Sequence, residues 1–168
     1  MTSQFVLFAC NHNSGRSQIA NAFFNQLADP AKAHGIAAGL EPSERVQEEV
    51  VEVMREVGLD LSTVQPAELT GRMLTELNFL VTLGCAERCP TIPLGRREDW
   101  RLRDPAGLAL TEVRAIRDEI RALVAQLIQR QGWGRDERAR PHLVPAELGK
   151  LSLRPSGPDV VSPDRSIK

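Results

Sequence analysis

Residues 10–17 read Cys-Asn-His-Asn-Ser-Gly-Arg-Ser, preceded by the apolar run Phe5-Val6-Leu7-Phe8-Ala9 and followed by apolar residues at helical spacing. The order is strand, loop, helix. Five residues separate Cys10 from Arg16, enough for a loop that curls around a tetrahedral oxyanion and offers it successive backbone amides and one guanidinium fork. Asn11, His12, Asn13, Ser14, Gly15, Arg16 and Ser17 would then form the binding cradle, with Gly15 allowing a tight turn. Cys10 would sit beneath the anion, where the helix N-terminus and Arg16 favour negative charge and so a nucleophilic thiolate. The plainer alternative is a small buried cysteine that ends a strand, then an ordinary turn with Ser14 or Ser17 as helix cap.

Working outward, Gln4 to Ala9 reads as a buried strand, and Ile19, Phe23 and Leu27 mark a helix that Asp29-Pro30 stops. A second strand is expected around Ala33 to Ala38. Val46, Val50, Val53 and Val57 mark a helix face ending at Gly58, and Pro66 could open a further short helix. Asn78 to Leu83 reads as a third strand, 84–95 as a loop, and Trp100 to Leu102 as the edge of a fourth strand. Val113, Ile116, Ile120, Leu123 and Leu127 predict a long amphipathic helix on which Arg114 and Asp118 face each other across one turn. Strands alternating with helices argue for an α/β fold, a parallel sheet covered on both faces, with ligands at the carboxyl ends of the strands. Cys10, Cys85 and Asp104 all follow predicted strands.

The chain has 168 residues, 42% of them hydrophobic, which suits a single domain. We expect that domain over residues 1–132, and over residues 133–168 a Pro- and Arg-rich extension, because helical periodicity ceases and five of the eleven prolines follow Gly134. A net charge of -1 provides no long-range attraction for nucleic acid or anionic lipid, so anion affinity must be local. No apolar run approaches membrane-spanning length and no leader pattern opens the chain, so a cytoplasmic protein is expected.

Three cysteines are an odd count without a framework, and in a reducing compartment a disulfide among them would be transient and chemical. Cys85 and Cys89, beyond the third strand, could form a relay with Cys10, or be unrelated loop thiols. A metal site is the weaker option, since zinc wants four ligands and the histidines are scattered. Residues four apart on a helix hold their β-carbons about 5–6 Å apart, wider than a disulfide prefers, so oxidation is expected to distort or unwind this segment. Asp104 before Pro105 is either a turn residue or a group with chemistry. The charges of Glu87, Arg88, Arg96 and Arg97 read as exposed and mixed.

At Cys10, Asn13, Arg16, Ser17, Gln18 and Ala20 the chain resembles the arsenate reductases that share the fold and anion loop of the low-molecular-weight protein tyrosine phosphatases. Gly84-Cys85, Cys89-Pro90, Asp99-Trp100 and Asp104-Pro105-Ala106-Gly107 extend the resemblance across the first three quarters of the chain. The resemblance implies a doubly wound four-stranded sheet, Cys10 as nucleophile, Arg16 as anion clamp and Asp104 as general acid. It implies reduction of arsenate to arsenite without a bound cofactor, with phosphate or sulfate as competing oxyanions. Reducing equivalents would come from thioredoxin, or from a small thiol such as mycothiol with a glutaredoxin-like reductase, and a monomer is expected. The Cys85 to Cys89 spacing is shorter than in many thioredoxin-coupled relatives. Two other readings share the loop: a phosphotyrosine phosphatase, although the chain has no tyrosine to flank the acid, and a non-catalytic anion sensor.

Overall fold

The computed structural model describes residues 2–92 and 96–136. Its elements, in order, are β1 (Gln4–Cys10), α1 (Arg16–Leu27), β2 (Ala33–Gly39), α2 (Glu48–Arg55), α3 (Gly71–Glu76), β3 (Phe79–Leu83), β4 (Arg96–Trp100) and α4 (Leu110–Gln131). The strands form one sheet in the order β2-β1-β3-β4, parallel at every pairing. This is the expected four-stranded doubly wound α/β sheet.

Alternation along the strands divides the interior into two layers. Val6, Phe8 and Cys10 of β1 and Phe79, Val81 and Leu83 of β3 point to one face, where they meet Ile19, Phe23 and Phe24 of α1, Val50 and Val53 of α2, and Ile120 and Leu127 of α4. Leu7, Ala9, Ala38 and Leu80 point to the other, where Cys85, Cys89 and Ile92 close over them and α3 contributes Met73 and Leu74. Each large apolar side chain wholly buried in these layers contributes roughly 1.5–3 kcal/mol. The first layer continues past α4, because buried Trp133 meets Phe24 and Phe79 edge-on at 5.8 Å each. Residues 137–168, most of the expected extension, lie outside the described residues.

Three local expectations differ from the structure. The fourth strand is Arg96–Trp100 rather than Trp100 to Leu102, since hydrogen bonding to β3 pairs Phe79 with Arg96 and Leu83 with Trp100. Pro66 opens no helix. Gly39 donates to Ala67 O and accepts from Leu69 N–H, at 2.8 Å each, which draws 67–69 out along β2 and delays α3 until Thr70 caps it through Met73 N–H. Arg114 does not pair with Asp118: its guanidinium takes Glu56 at the end of α2 by a two-point grip at 2.7 and 3.0 Å, while Asp118 accepts from Arg117. That fork also holds the Glu56 carboxyl below its ordinary pKa, Arg114 first and Arg117 second.

At the β2 edge, the Asn25 amide donates to Gly35 O at 3.0 Å and accepts from Gly35 N–H at 2.9 Å. A β-carbon at Gly35 would lie 2.6 Å from Asn21 Oδ1, so only glycine lets α1 approach this closely.

Candidate active site

β1 delivers Cys10 to the carboxyl end of the sheet, and the chain turns through 11–15 into α1 with Asn13 in the left-handed region at φ 51°, a conformation asparagine tolerates. The carbonyl oxygens of Cys10, Asn11, His12 and Ser14 all accept from outside the loop, from the amides of Leu40, Glu41, Ser43 and Gln47 at 2.8–3.2 Å. In a trans peptide the following N–H points the opposite way, so the amides of Asn11, His12, Asn13 and Gly15 face the loop's interior. The Asn13 amide bears this out by reaching Cys10 Sγ at 3.2 Å. The N-terminus of α1 adds its dipole to the same point.

Around Cys10 the donor directions can be worked out. Ala67 N–H can only donate, so the atom of Asn13 it meets at 3.1 Å is the amide oxygen, which also accepts from Gln18 Nε2 at 2.6 Å. The Asn13 NH2 group therefore faces Ser17 and donates to its Oγ at 3.0 Å. That leaves the Ser17 hydroxyl hydrogen for Cys10 Sγ, 2.9 Å away. Two donors, the Ser17 hydroxyl and the Asn13 amide, thus converge on the sulfur.

Arg16 is fixed at the mouth of the loop by its hydrogen bond to Leu102 O at 2.8 Å and lies 3.5 Å from Asp104 Oδ2. Gly84, at φ +82°, leaves the space the guanidinium fills, for a β-carbon there would collide with it. Asp104 holds the turn, with Oδ1 accepting from Ala106 N–H at 3.0 Å, and the residue also lines the pocket with Cys10, Arg16, Ser14 and His12. His12 Nδ1 meets Glu41 O at 3.1 Å; a carbonyl only accepts, so Nδ1 carries the hydrogen and His12 shapes the turn. Gln47 also lines this pocket, bonding Ser14 Oγ at 3.3 Å. Nothing in the spacing of the chain marks Gln47, whereas Gly84 directly after a strand is a legible sign of close approach.

The other two cysteines stand apart from this cradle. Cys85 and Cys89 form a disulfide, with Cα atoms 5.8 Å apart, in the layer on the opposite side of the sheet from Cys10. Cys85 Sγ lies 3.4 Å from the carbonyl oxygen of Ala9, the residue before Cys10. In this disulfide form residues 85–89 make a turn rather than a helix, with Cys89 N–H donating to Cys85 O at 2.9 Å. Cys10 is free and buried. Arg88, between the bonded cysteines, pairs with Glu41 at 2.8 Å, and this hydrogen bond and charge hold the Glu41 carboxyl below its ordinary pKa. Among the described residues no group of three or more His, Cys, Asp or Glu is arranged to hold a metal, and no helix is long and apolar enough to cross a membrane.

Residues 5–135 match the family described as low molecular weight phosphotyrosine protein phosphatase. An arsenate reductase of Staphylococcus aureus strain Newman is 34% identical over 129 residues, 74% of this chain and 95% of that protein. The thioredoxin-dependent arsenate reductase Cg_ArsC1' of Corynebacterium glutamicum superposes with a TM-score of 0.65 at 30% identity, over 76% of this chain and 61% of that one. An arsenate reductase in a phosphate-binding state superposes with a TM-score of 0.66 at 29% identity, over 76% of this chain and 98% of that one. Sequence, sheet order and anion loop agree: the chain belongs to the low molecular weight phosphotyrosine protein phosphatase family, with arsenate reductases among its relatives.

Proposed function

We propose that this protein reduces arsenate to arsenite, using its three cysteines in turn. The observation that carries the reading is the coexistence of a free Cys10 inside an amide-lined anion loop with a closed Cys85–Cys89 disulfide beyond the neighbouring strand. Hydrolysis of a phosphate ester requires the first feature and has no use for the second.

Arsenate sits on the inward amides and Arg16, and the Cys10 thiolate attacks arsenic while Asp104 protonates the departing oxygen, which leaves as water. The Cys85 thiolate then attacks Cys10 sulfur. The sulfur–arsenic bond breaks, its electron pair stays on arsenic, and arsenite leaves with a Cys10–Cys85 disulfide behind it. Cys89 attacks Cys85, frees Cys10 and yields the Cys85–Cys89 disulfide. Thioredoxin returns that disulfide to two thiols, which places the protein in a reducing compartment such as the cytoplasm. No bound cofactor or metal takes part in this sequence, and one chain carries every group it uses.

The test is single turnover with stoichiometric arsenate and no added thiol. In Cys89→Ser, one arsenite per chain and a trapped Cys10–Cys85 disulfide, identified by peptide mass, are expected; Cys85→Ser should trap no such bond. Arsenite formed only when mycothiol or another small thiol is added, with no protein disulfide, would replace the internal relay by a small-thiol route. Phosphatase turnover with no arsenite under either condition would favour hydrolysis by the same loop.

A further inference from the structure

We propose that Arg97 is the positioning residue that latches the Cys85–Cys89 loop in its disulfide-bonded form and so sets how readily that disulfide is reduced. The proposal rests on the relay described above. Arg97 lies on β4, opposite Leu80 in the register, on the face of the sheet where the disulfide is buried. Its Nη2 donates to Ala86 O at 2.5 Å, and its Nη1 makes two longer contacts, to Cys89 O at 3.3 Å and Pro90 O at 3.4 Å. Three carbonyls of one short loop thus converge on a single guanidinium.

The guanidinium is itself held from behind. Arg97 Nε donates to Asp99 Oδ1 at 2.8 Å, and that oxygen also accepts from the Thr82 hydroxyl at 2.5 Å. Thr82 is fully buried on β3, so the fork is anchored to the centre of the sheet rather than to another mobile side chain. The planar fork with fixed N–H directions suits several carbonyls at once, which an ammonium does not.

These contacts weigh on only one redox state. Cys85 packs on one face of the sheet and Cys10 belongs to the other, so Cys85 must leave its place beside Ala9 O to attack at Cys10. That movement carries Ala86 with it and separates Ala86 O from Arg97. The Arg97 bonds therefore stabilise the disulfide form relative to the opened dithiol, and their loss makes the disulfide easier to reduce.

The experiment is a redox titration of the full chain carrying Cys10→Ser, so that only Cys85 and Cys89 exchange with dithiothreitol. In each exchange the dithiothreitol dithiol is oxidised to its cyclic disulfide as the protein disulfide becomes two thiols. With Arg97→Met added, the midpoint should fall to a reduced-to-oxidised dithiothreitol ratio roughly tenfold lower, the loss expected for charged hydrogen bonds. Asp99→Asn should shift it the same way by less, and serves in place of Arg97→Met should that variant fail to fold. The thermal midpoint of the disulfide form should fall and that of the dithiol form should not. Midpoints within twofold of the parent, or equal thermal losses in both redox states, would overturn the latch. Separately, wild-type protein given arsenate without reductant should form the Cys85–Cys89 disulfide. If it does not, the relay reading fails, while the titration still decides the assignment of Arg97.

Discussion

The anion loop and the disulfide loop each follow a strand of the same parallel sheet, but they are held by different means. Residues 10–16 are pinned by four outward carbonyls on four separate backbone amides, with Asn13 and Ser17 forming a further layer beneath the sulfur. Each such bond contributes on the order of 1 kcal/mol, and no single one decides the shape. The disulfide loop keeps its own turn but is tied to the sheet through Arg97. An oxyanion site must be preorganised, since donors that have to move into place stabilise the transition state less. A cysteine that serves as messenger must be able to leave. Under the proposed relay, the many-point hold falls where charge develops and the hold by a single guanidinium where electrons are passed on.

The severest way to test the rigid half is Cys10→Ser. Arsenite formation should disappear entirely while the circular dichroism spectrum stays that of the parent, because a hydroxyl offers neither the thiolate nor its redox chemistry. Residual turnover would show that the messenger cysteines act without the cradle. Arg16→Lys should lower kcat/KM for arsenate by roughly 10²- to 10³-fold, since an ammonium cannot give a tetrahedral anion a planar two-point hold. Gly84→Ala should move in the same direction by a smaller factor, through displacement of the Arg16 guanidinium and a backbone that costs alanine about 1–2 kcal/mol; steady-state kinetics and urea unfolding separate the two effects. Asn13→Ala should cost about 1–3 kcal/mol of stability, because the partly buried Ala67 N–H loses its acceptor and buried Gln18 keeps only the Asn13 carbonyl, with a further rate loss from an unguided Ser17 hydroxyl.

The mildest test falls on the support behind the disulfide loop. The Thr82 hydrogen bond, then Arg97, holds the Asp99 carboxyl below its ordinary value of 3.8. A lowered carboxylate stabilises the fold above its unfolded pKa, and that contribution is lost as pH falls through the folded value. Thr82→Val should therefore be less stable than the parent at neutral pH, with the gap closing under acid, as denaturation followed from pH 7 downward would reveal. A gap independent of pH would mean that Thr82 acts by packing alone.

Much of this contrast was legible in the sequence, and unevenly so. The anion loop could be read because its groups are consecutive: Cys10, Arg16 and the apolar strand before them lie within one short stretch. The sheet was readable where strands are buried on both faces, as at Val6 to Ala9 and Phe79 to Leu83. The fourth strand was displaced because Arg-Arg-Glu-Asp-Trp carries no apolar alternation; as an edge strand it needs little. Arg97 looked like ordinary surface charge because its carbonyl partners, on Ala86, Cys89 and Pro90, are brought to it only by β3–β4 pairing. Gln47 was invisible for the same reason, its place in the pocket resulting from a backbone bond to Ser14 O. Trp133 seemed to open the extension, yet it finishes the core, since only the close of α4 turns it toward Phe24.

The Asn25 amide at Gly35 has a bearing on how copies of this chain behave when concentrated. A sheet's outer strands present unpaired peptide groups, a template on which another molecule's strand can add. β4 discourages such addition by charge, with four ionisable residues among its five. β2 carries none but His34, and blocks it instead by imitation: one asparagine side chain satisfies both peptide groups of Gly35 as a neighbouring strand would, and 67–69 occupy those of Gly39. The chain thus closes this border with one side-chain amide at Gly35 and the 67–69 segment at Gly39, and Asn25→Leu would reopen the Gly35 stretch to edge-to-edge aggregation.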